Sequence, residues 1–285
     1  MRLKTQLNIK TDIEALQPRV WNRKEIAAYL AEKRRDWNAP KYLTPGLFIS
    51  FLLENEIAQV REISSKEYGR KARYVTGNPS ILQFACSFYK HSYLSHTTAL
   101  HVHGLLPAGK IFVNHEQTPK QTTSRLSQGR IDQAFRNLPR RSSFEFQTER
   151  HTITFLNGKH TGEAGVIDIN GPSGEPLRCT SLERTLIDCV VRPQYADGIQ
   201  AVAAVLPRAI ANTSGAEIVR LLARIKYTYP YHQSLGFLLE RAGMPASELE
   251  HLRNLPIRFK FYLDYGMKKS AYDPSWRIYY PADLK

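Results

Sequence analysis

A short helix followed directly by a polar hairpin is the feature of this sequence that most constrains its fold. Thr44 can cap the helix with its hydroxyl, and Pro45 then takes the first helical position, where its missing N–H costs nothing. Helical spacing of apolar residues predicts a buried face. That face comprises Leu47, Phe48, Phe51 and Leu52.

The hairpin consists of two alternating segments, residues 60–63 and 71–75, joined by a turn at 64–69. Its turn and returning strand are rich in basic residues and poor in acids, which suits a phosphate backbone. These basic residues are Lys66, Arg70, Lys71 and Arg73. A helix followed by a basic hairpin is typical of a recognition helix and its wing.

A helix-turn-helix also needs a preceding helix, and Asn22 can cap one over residues 23–33. Ile26 and Leu30 are predicted to face inward. The linker at 36–40 has turn chemistry but is longer than the tightest helix-turn-helix connection. Upstream, a short helix is predicted from Thr11 to Leu16, ended by Pro18. The alternative is a small α/β unit whose charges form only a solvated face.

The winged interpretation assigns DNA contacts to specific residues. Ser50 and its exposed neighbours are expected to reach base edges, and the wing is expected to hold phosphates. The full predicted set is Arg23, Lys24, Thr44, Ser50, Arg61, Lys66, Arg70, Lys71 and Arg73.

Charge favours an anionic partner for the whole chain. The formal net charge is +14 over 285 residues and the pI is near 9.7, so nucleic acid is preferred over a membrane surface. The sequence has no apolar run of the roughly 18 residues that a spanning helix needs, and its start lacks the apolar core of a signal peptide. We therefore expect a cytoplasmic protein. Its three cysteines, at positions 86, 179 and 189, are predicted to be buried and unpaired.

The turn residues at 77–80 mark the expected domain boundary, which gives a winged helix-turn-helix domain at 1–78 and a larger domain at 79–285. The predicted fold class is α+β, because the second domain combines a small antiparallel or mixed sheet with a C-terminal helical layer. Its strands are expected at 111–114, 144–147, 152–155, 165–169 and 175–179, and two further strands at 259–263 and 276–280 are expected to pair.

Histidines cluster in the segment 93–105, which is predicted to be a helix capped by Ser95 and ended by Gly104. No pair among them has the i, i+4 spacing with which two imidazoles share an ion, so no metal site is predicted. The histidines are His91, His96, His101 and His103.

Arginines recur along a polar helix expected through Ser124, Leu126, Ile131 and Phe135 and along the segment after it. They are a possible second anionic contact. The set is Arg125, Arg130, Arg136, Arg140 and Arg141.

A carboxylate nuclease was weighed because Asp168 and Glu175 are expected on adjacent strands. Such a site normally has a lysine close behind its second acid to polarise the phosphate, whereas Pro176 and Leu177 follow Glu175 here. The sequence also lacks a phosphate-binding GxxxxGK loop, a GxSxG elbow and an HExxH pair. We predict no enzyme activity and no cofactor.

Several segments together resemble the AbiEi family, the antitoxin and transcriptional-regulator components of bacterial AbiE-type (type IV) toxin–antitoxin and abortive-infection systems. After the basic winged unit come LSHTTALHVHGL, TSLERTLIDCVVRPQYADGIQAVAAVL, SLGFLLERAGM and a strand ending WRIYYPADL. The similarity runs from about Asn22 to the end of the chain. Its sharpest parts are the helix ending at 103–105 and the ERTLID segment at 183–188.

The resemblance implies two partners. An N-terminal winged domain would bind double-stranded operator DNA and repress the antitoxin–toxin operon, and a C-terminal domain would neutralise a nucleotidyltransferase-like toxin, by contact or by function. Sequence does not decide between a monomer and a dimer on DNA. The rivals from other classes are a metal-dependent nucleic-acid enzyme and a protein-interaction module without specific DNA binding.

Overall fold

The computed structural model describes residues 1–16, 18–117 and 125–284, and it shows the expected α+β class. Its helices are α1 (Leu3–Glu14), α2 (Arg23–Lys33), α3 (Pro45–Glu54), α4 (Ile81–Cys86), α5 (His96–Val102), α6 (Gln128–Arg136), α7 (Leu182–Val191), α8 (Ile199–Ala209), α9 (Gly215–Ile225), α10 (Tyr231–Arg241) and α11 (Ala246–Arg253). Ser124, where the polar helix was expected to begin, lies outside the described residues.

Nine strands form one curled sheet in the order β1-β3-β2-β6-β7-β5-β4-β9-β8, and three more form a small sheet in the order β10-β12-β11. The strands are β1 (Arg19–Trp21), β2 (Gln59–Ser65), β3 (Gly69–Thr76), β4 (Tyr93–Leu94), β5 (Ile111–Glu116), β6 (Glu145–Gln147), β7 (Thr152–Gly158), β8 (Val166–Asn170), β9 (Pro176–Thr180), β10 (Phe261–Tyr262), β11 (Ser270–Asp273) and β12 (Ile278–Pro281). The predicted pairing of the last strands is confirmed, since β10 runs parallel to β12.

The first 76 residues form a winged helix-turn-helix: three helices, the β2–β3 hairpin, and β1 paired with β3. The predicted caps are confirmed. Asn22 accepts hydrogen bonds from the backbone N–H groups of Lys24 and Glu25 within a capping box, and the Thr44 hydroxyl accepts one from Leu47 N. Both helices of the motif therefore begin where the sequence indicates.

Two details of this unit differ from the prediction. The first helix spans Leu3–Glu14 rather than Thr11 to Leu16, because Thr5, Ile9 and Ile13 face the core at i, i+4 and i+8 in an otherwise polar segment. In α3 the buried face includes Ile49, whereas Leu47 is 53% exposed. The helix has apolar residues on most of its surface, and spacing alone does not say which of them faces solvent.

The long linker between α2 and α3 is ordered by one buried side chain. Trp37 lies between the rings of Tyr29 and Phe48, and its indole N–H donates to Asp12 of α1 at 2.6 Å. Arg34 donates to the carbonyls of Pro40 and Leu43 and thereby closes the loop. The linker is thus part of the core of the winged unit.

The wing is continuous with the sheet of the second domain, because β2 pairs with β6 through Ser64 and Gln147. Ile63 and Val75 from the hairpin share a core with residues beyond the expected boundary at 78, including Phe84 of α4 and Phe155 of β7. The short helix α4, capped by Ser80, packs against the same sheet.

The C-terminal helical layer forms the largest core, around α7 and α10. A Cβ at Gly236 of α10 would overlap the buried indole of Trp276, so glycine is required for this approach. Helix α11 was not predicted, and the predicted helix at 93–105 consists of β4 followed by α5. The helices α1–α11 of the described residues are each too short or too polar to cross a membrane.

Candidate nucleic-acid interface

The outer face of α3 carries Thr44, Leu47 and Ser50, which are all exposed and lie at helical spacing. The side chain of Arg23, from the first turn of α2, reaches the first turn of α3, with its Nη2 atom 3.8 Å from where a Cβ on Gly46 would lie. Arg23 therefore lies between the first turns of α2 and α3, and Lys24 is exposed next to it in the first turn of α2. Helix N-termini with adjacent basic side chains favour phosphate groups.

The cations of the wing divide into an outward and an inward set. Lys66 and Arg70 are exposed at the tip. Lys71 points inward, where its Nζ donates to the Tyr89 hydroxyl at 2.7 Å and lies 4.8 Å from the Tyr89 ring centroid. It also lies 5.5 Å from the ring centroids of both Phe144 and Phe146.

The Arg73 side chain also bonds to other residues of the chain. It donates to the backbone carbonyls of Ser87 and Phe88 at the end of α4 and lies 4.4 Å above the Phe88 ring. Burial lowers the pKa of its guanidinium. Alternation along β3 explains the division, because Lys71, Arg73 and Val75 lie on the face of the strand that packs against the rest of the chain. Arg61 is half-buried and donates to the Asn78 side chain and the Pro79 carbonyl.

The wing tip lies against the segment that follows α6. The Tyr68 hydroxyl is 3.0 Å from Ser143 Oγ, and the Tyr68 ring meets the Phe144 ring edge-on at 4.7 Å. Arg140 and Arg141, both exposed, are therefore only a few residues along the chain from the wing contact. Two of the five arginines predicted as a second anionic contact are thus brought next to the wing.

The other three arginines of that set, Arg125, Arg130 and Arg136, are exposed on or beside α6. Arg130 donates to the Arg125 carbonyl. Between α6 and the wing contact, Leu138 is 80% exposed, so this basic surface has an apolar residue at its centre.

A buried polar cluster around α7 escaped the sequence analysis. Arg184 is 2% exposed; it donates to Asp188 Oδ1 at 2.9 Å and also to the Ala164 carbonyl and Thr161 Oγ1. Burial opposes the charged form, but the Asp188 carboxylate outweighs it and raises the pKa of Arg184. The signal available in the sequence was the i, i+4 spacing of opposite charges within an apolar helix.

The cluster extends to β5 through Tyr93, whose hydroxyl donates to Glu116 Oε1 at 3.3 Å. Burial opposes ionisation of Glu116, but hydrogen bonds from the Thr161 hydroxyl and from the Thr161 and Glu163 backbone hold its pKa below the usual range. This carboxylate fixes the loop after β7 to the sheet.

Each of the clustered histidines has its own neighbour. His91 lies 3.0 Å from Glu163, His101 Nδ1 lies 3.0 Å from the Leu106 carbonyl, and His103 Nε2 lies 2.8 Å from the Thr180 carbonyl. His96 is buried beside Ser95 Oγ, and burial lowers its pKa to about 4. Among residues 1–16, 18–117 and 125–284, no three His, Cys, Asp or Glu side chains are grouped as metal ligands would be.

The two carboxylates weighed as a nuclease site have separate surroundings. Asp168 is exposed on β8 and pairs in register with Arg178 of β9. Glu175 lies in the turn between β8 and β9, where its Oε2 accepts a hydrogen bond from the backbone N–H of Ser173 at 2.9 Å. Burial raises the pKa of the Cys179 thiol to about 12, consistent with the expected inert cysteine.

Comparison with known proteins shows a similarity of fold alone. No family model matches the chain, and no curated protein matches it. Among solved structures, the chain is similar to the crystal structure of the RV2827C protein from Mycobacterium tuberculosis, with a TM-score of 0.53 and 15% identity over 99% of this chain and 93% of that chain. This similarity extends over the whole fold, the winged unit and the larger domain alike.

Proposed function

We propose that this protein is a DNA-binding transcriptional regulator and antitoxin of the AbiEi type. It would repress its own toxin–antitoxin operon through the winged unit and neutralise a nucleotidyltransferase-like toxin through the C-terminal domain. The observation that carries the DNA-binding part is the winged helix-turn-helix whose outward surfaces, the N-termini of α2 and α3 and the wing tip, carry unpaired cations.

In this proposal, α3 enters the major groove and its outer face contacts base edges. Ser50 can bond a base edge, and exposed Leu47 suits the methyl group of thymine. Helix α3 itself has no basic residue, so phosphate contacts must come from its surroundings. Arg23 and Lys24 supply them on one side, and Lys66 and Arg70 on the other.

The phosphate-binding surface continues onto the second domain. Arg140 and Arg141 are placed near the wing because Ser143 and Phe144, a few residues further along the chain, contact Tyr68. By contrast, Lys71 and Arg73 are excluded from phosphate binding in this proposal, since their hydrogen bonds hold α4 and the aromatic cluster in place.

The experiment is a salt titration of binding to a labelled duplex from upstream of the gene, beside a scrambled duplex of equal length. Preference for the native duplex at roughly physiological salt supports a specific regulator. If both duplexes bind equally and this binding is lost as the salt concentration rises, specific recognition is contradicted.

Variants then locate the interface. Lys66→Ala with Arg70→Ala should weaken binding to both duplexes and flatten the salt slope by up to about two units, and Arg140→Ala with Arg141→Ala should do the same. Arg224→Ala with Arg258→Ala, exposed cations of the C-terminal layer, is the matched control and should leave the slope unchanged.

The antitoxin part rests on the resemblance of the ERTLID segment and its neighbours. Co-expression with a cognate nucleotidyltransferase-like toxin should restore growth, and residues 79–285 should be necessary for this rescue. Failure of the full chain to rescue growth would contradict the assignment.

A further inference from the structure

The small sheet carries a row of three tyrosines, one from each strand. Tyr262 of β10 is paired in register with Tyr279 of β12, and Tyr279 is paired with Tyr272 of β11. Neighbouring rings are in contact, with centroids 5.2 Å apart in the first pair and 4.8 Å apart in the second. The residues next to the row, Phe261 and Ile278, are fully buried in the core of the helical layer. Alternation along the strands therefore turns the three tyrosines to the outer face of the sheet.

The row is fixed at one end and open to solvent at the other. The Tyr262 ring packs beside Phe135 with centroids 5.8 Å apart, and the Tyr262 hydroxyl donates to Asp132 Oδ1 at 3.1 Å. Tyr279 is half-buried in the middle, and Tyr272, on the edge strand β11, is 39% exposed. Aromatic rings exposed on a sheet are the surface on which many proteins stack the bases of single-stranded nucleic acids.

Cations lie beside the open end of the row. The Lys260 Nζ atom is 5.9 Å from the centroid of the Tyr272 ring. The segment 258–270, which contains β10 and leads into β11, has four basic residues and one acidic residue. A single strand can stack its bases on rings while its phosphates pair with cations beside them. The four basic residues are Arg258, Lys260, Lys268 and Lys269, and the acidic one is Asp264.

The other end of the row favours ribose over deoxyribose. Burial and the Asp132 carboxylate raise the pKa of Tyr262 to about 12, and the Arg136 guanidinium is close enough to oppose this shift. Asp132 is half-buried, and its Oδ1 accepts hydrogen bonds from Tyr262 and Gln128. A carboxylate disfavours a phosphate but accepts a hydroxyl donor, and the 2′-hydroxyl that distinguishes RNA from DNA is such a donor.

We propose that the outer face of the small sheet binds single-stranded RNA, with a base stacked on the exposed ring of Tyr272. Lys260 and Arg136 then pair with phosphates, and Asp132 accepts a 2′-hydroxyl. A duplex does not fit this face, because its bases are stacked on each other and cannot lie against a ring. The proposal does not depend on operator or toxin binding.

The test is fluorescence anisotropy of the full chain with a labelled oligouridine of about ten nucleotides, beside an oligodeoxyuridine of equal length. The RNA should bind saturably and more tightly than the DNA. Absence of saturable RNA binding would overturn the proposal and leave the tyrosine row as packing within the sheet. Equal binding of the two strands would overturn the assignment to RNA.

Substitution of Tyr272 tests the stacking. Tyr272→Leu keeps an apolar residue on the strand but removes the ring, so the affinity for oligouridine should fall at least about fivefold. Tyr272→Phe keeps the ring and should retain the affinity. Tyr42→Leu is the matched control, since Tyr42 is an exposed tyrosine of the winged unit. Equal affinities of Tyr272→Leu and Tyr42→Leu would overturn the stacking.

A variant of Lys260 keeps the proposal testable if Tyr272→Leu does not fold. Lys260→Met should flatten the salt slope of RNA binding by about 0.7, the value for one phosphate contact with a single strand. Lys159→Met is the matched control, because Lys159 is an exposed lysine beyond the end of β7 and the change in net charge is the same. Equal slopes for the two variants would overturn the site and assign RNA binding to the net charge of +14.

Discussion

The wing and helix α7 both carry charged residues, but they place them in opposite environments. At the wing tip Lys66 and Arg70 are exposed. In α7, Arg184 and Asp188 are buried and bonded to each other. Charge is therefore exposed to solvent in one region and bonded within the chain in the other. The net charge of +14 alone does not distinguish these uses, since only the position of each side chain relative to a core does so.

The largest effect should come from breaking the buried pair. Asp188→Ala leaves the Arg184 guanidinium uncompensated in the core, and this should lower the free energy of unfolding by about 3–5 kcal/mol. Denaturant unfolding at neutral pH measures the change.

The control for that variant removes both charges. Arg184→Met with Asp188→Leu should cost less than Asp188→Ala, because no unpaired charge stays buried. A double variant less stable than Asp188→Ala would mean that the other hydrogen bonds of Arg184, to Ala164 and Thr161, matter more than the ion pair.

Acid should destabilise the protein through its buried histidines. The pKa of His96 is about 4 in the folded chain, against about 6.5 when unfolded, so the unfolded state takes up its proton first. Its contribution is complete above pH ~6.5 and is lost as the pH falls towards ~4, by about 3 kcal/mol in total.

His96→Asn tests this contribution. Asparagine tolerates the positive φ of 54° at this position and does not titrate, so the variant should lose less stability between pH ~6.5 and ~4 than the native chain. His232, whose pKa is also about 4, should account for much of the remaining loss. Identical pH profiles for the variant and the native chain would contradict the assignment.

The smallest expected effect is the difference in stability between variants of inward and outward cations of the wing. Lys71→Met loses the bond to Tyr89 and the contacts with three rings, and should lower the free energy of unfolding by about 1–2 kcal/mol. Lys66→Met, at the exposed tip, should change it by no more than about 0.5 kcal/mol. Equal losses from the two variants would remove the distinction between inward and outward cations.

Local chemistry made much of the fold predictable. The caps at Asn22 and Thr44 and the alternation of the hairpin located their elements within a few residues. Helix α1 was misplaced because only three buried residues define its inner face, and α11 was missed. These elements are stabilised by packing against distant segments, which local patterns do not contain.

The candidate interface was less predictable than the fold. The positions of cations along the hairpin were evident, but which of them face α4 depends on what packs against each face of the sheet. The burial of Arg184 could not be inferred from the sequence either, because its partners at 93, 161 and 164 lie in other elements. The position of Arg141 near the wing tip likewise depends on the order of the strands in the sheet.

The pairing of Ser64 with Gln147 limits how freely the winged unit can be exchanged or reoriented. A winged module on a flexible tether can be transferred between proteins and can swing to suit differently spaced half-sites. Here, cutting the chain at residue 78 would expose Ile63 and Val75 to water, since their packing partners lie beyond the cut. The wing also has one fixed direction relative to the rest of the chain, and any duplex bound as proposed above would have to match that direction in its own shape and spacing.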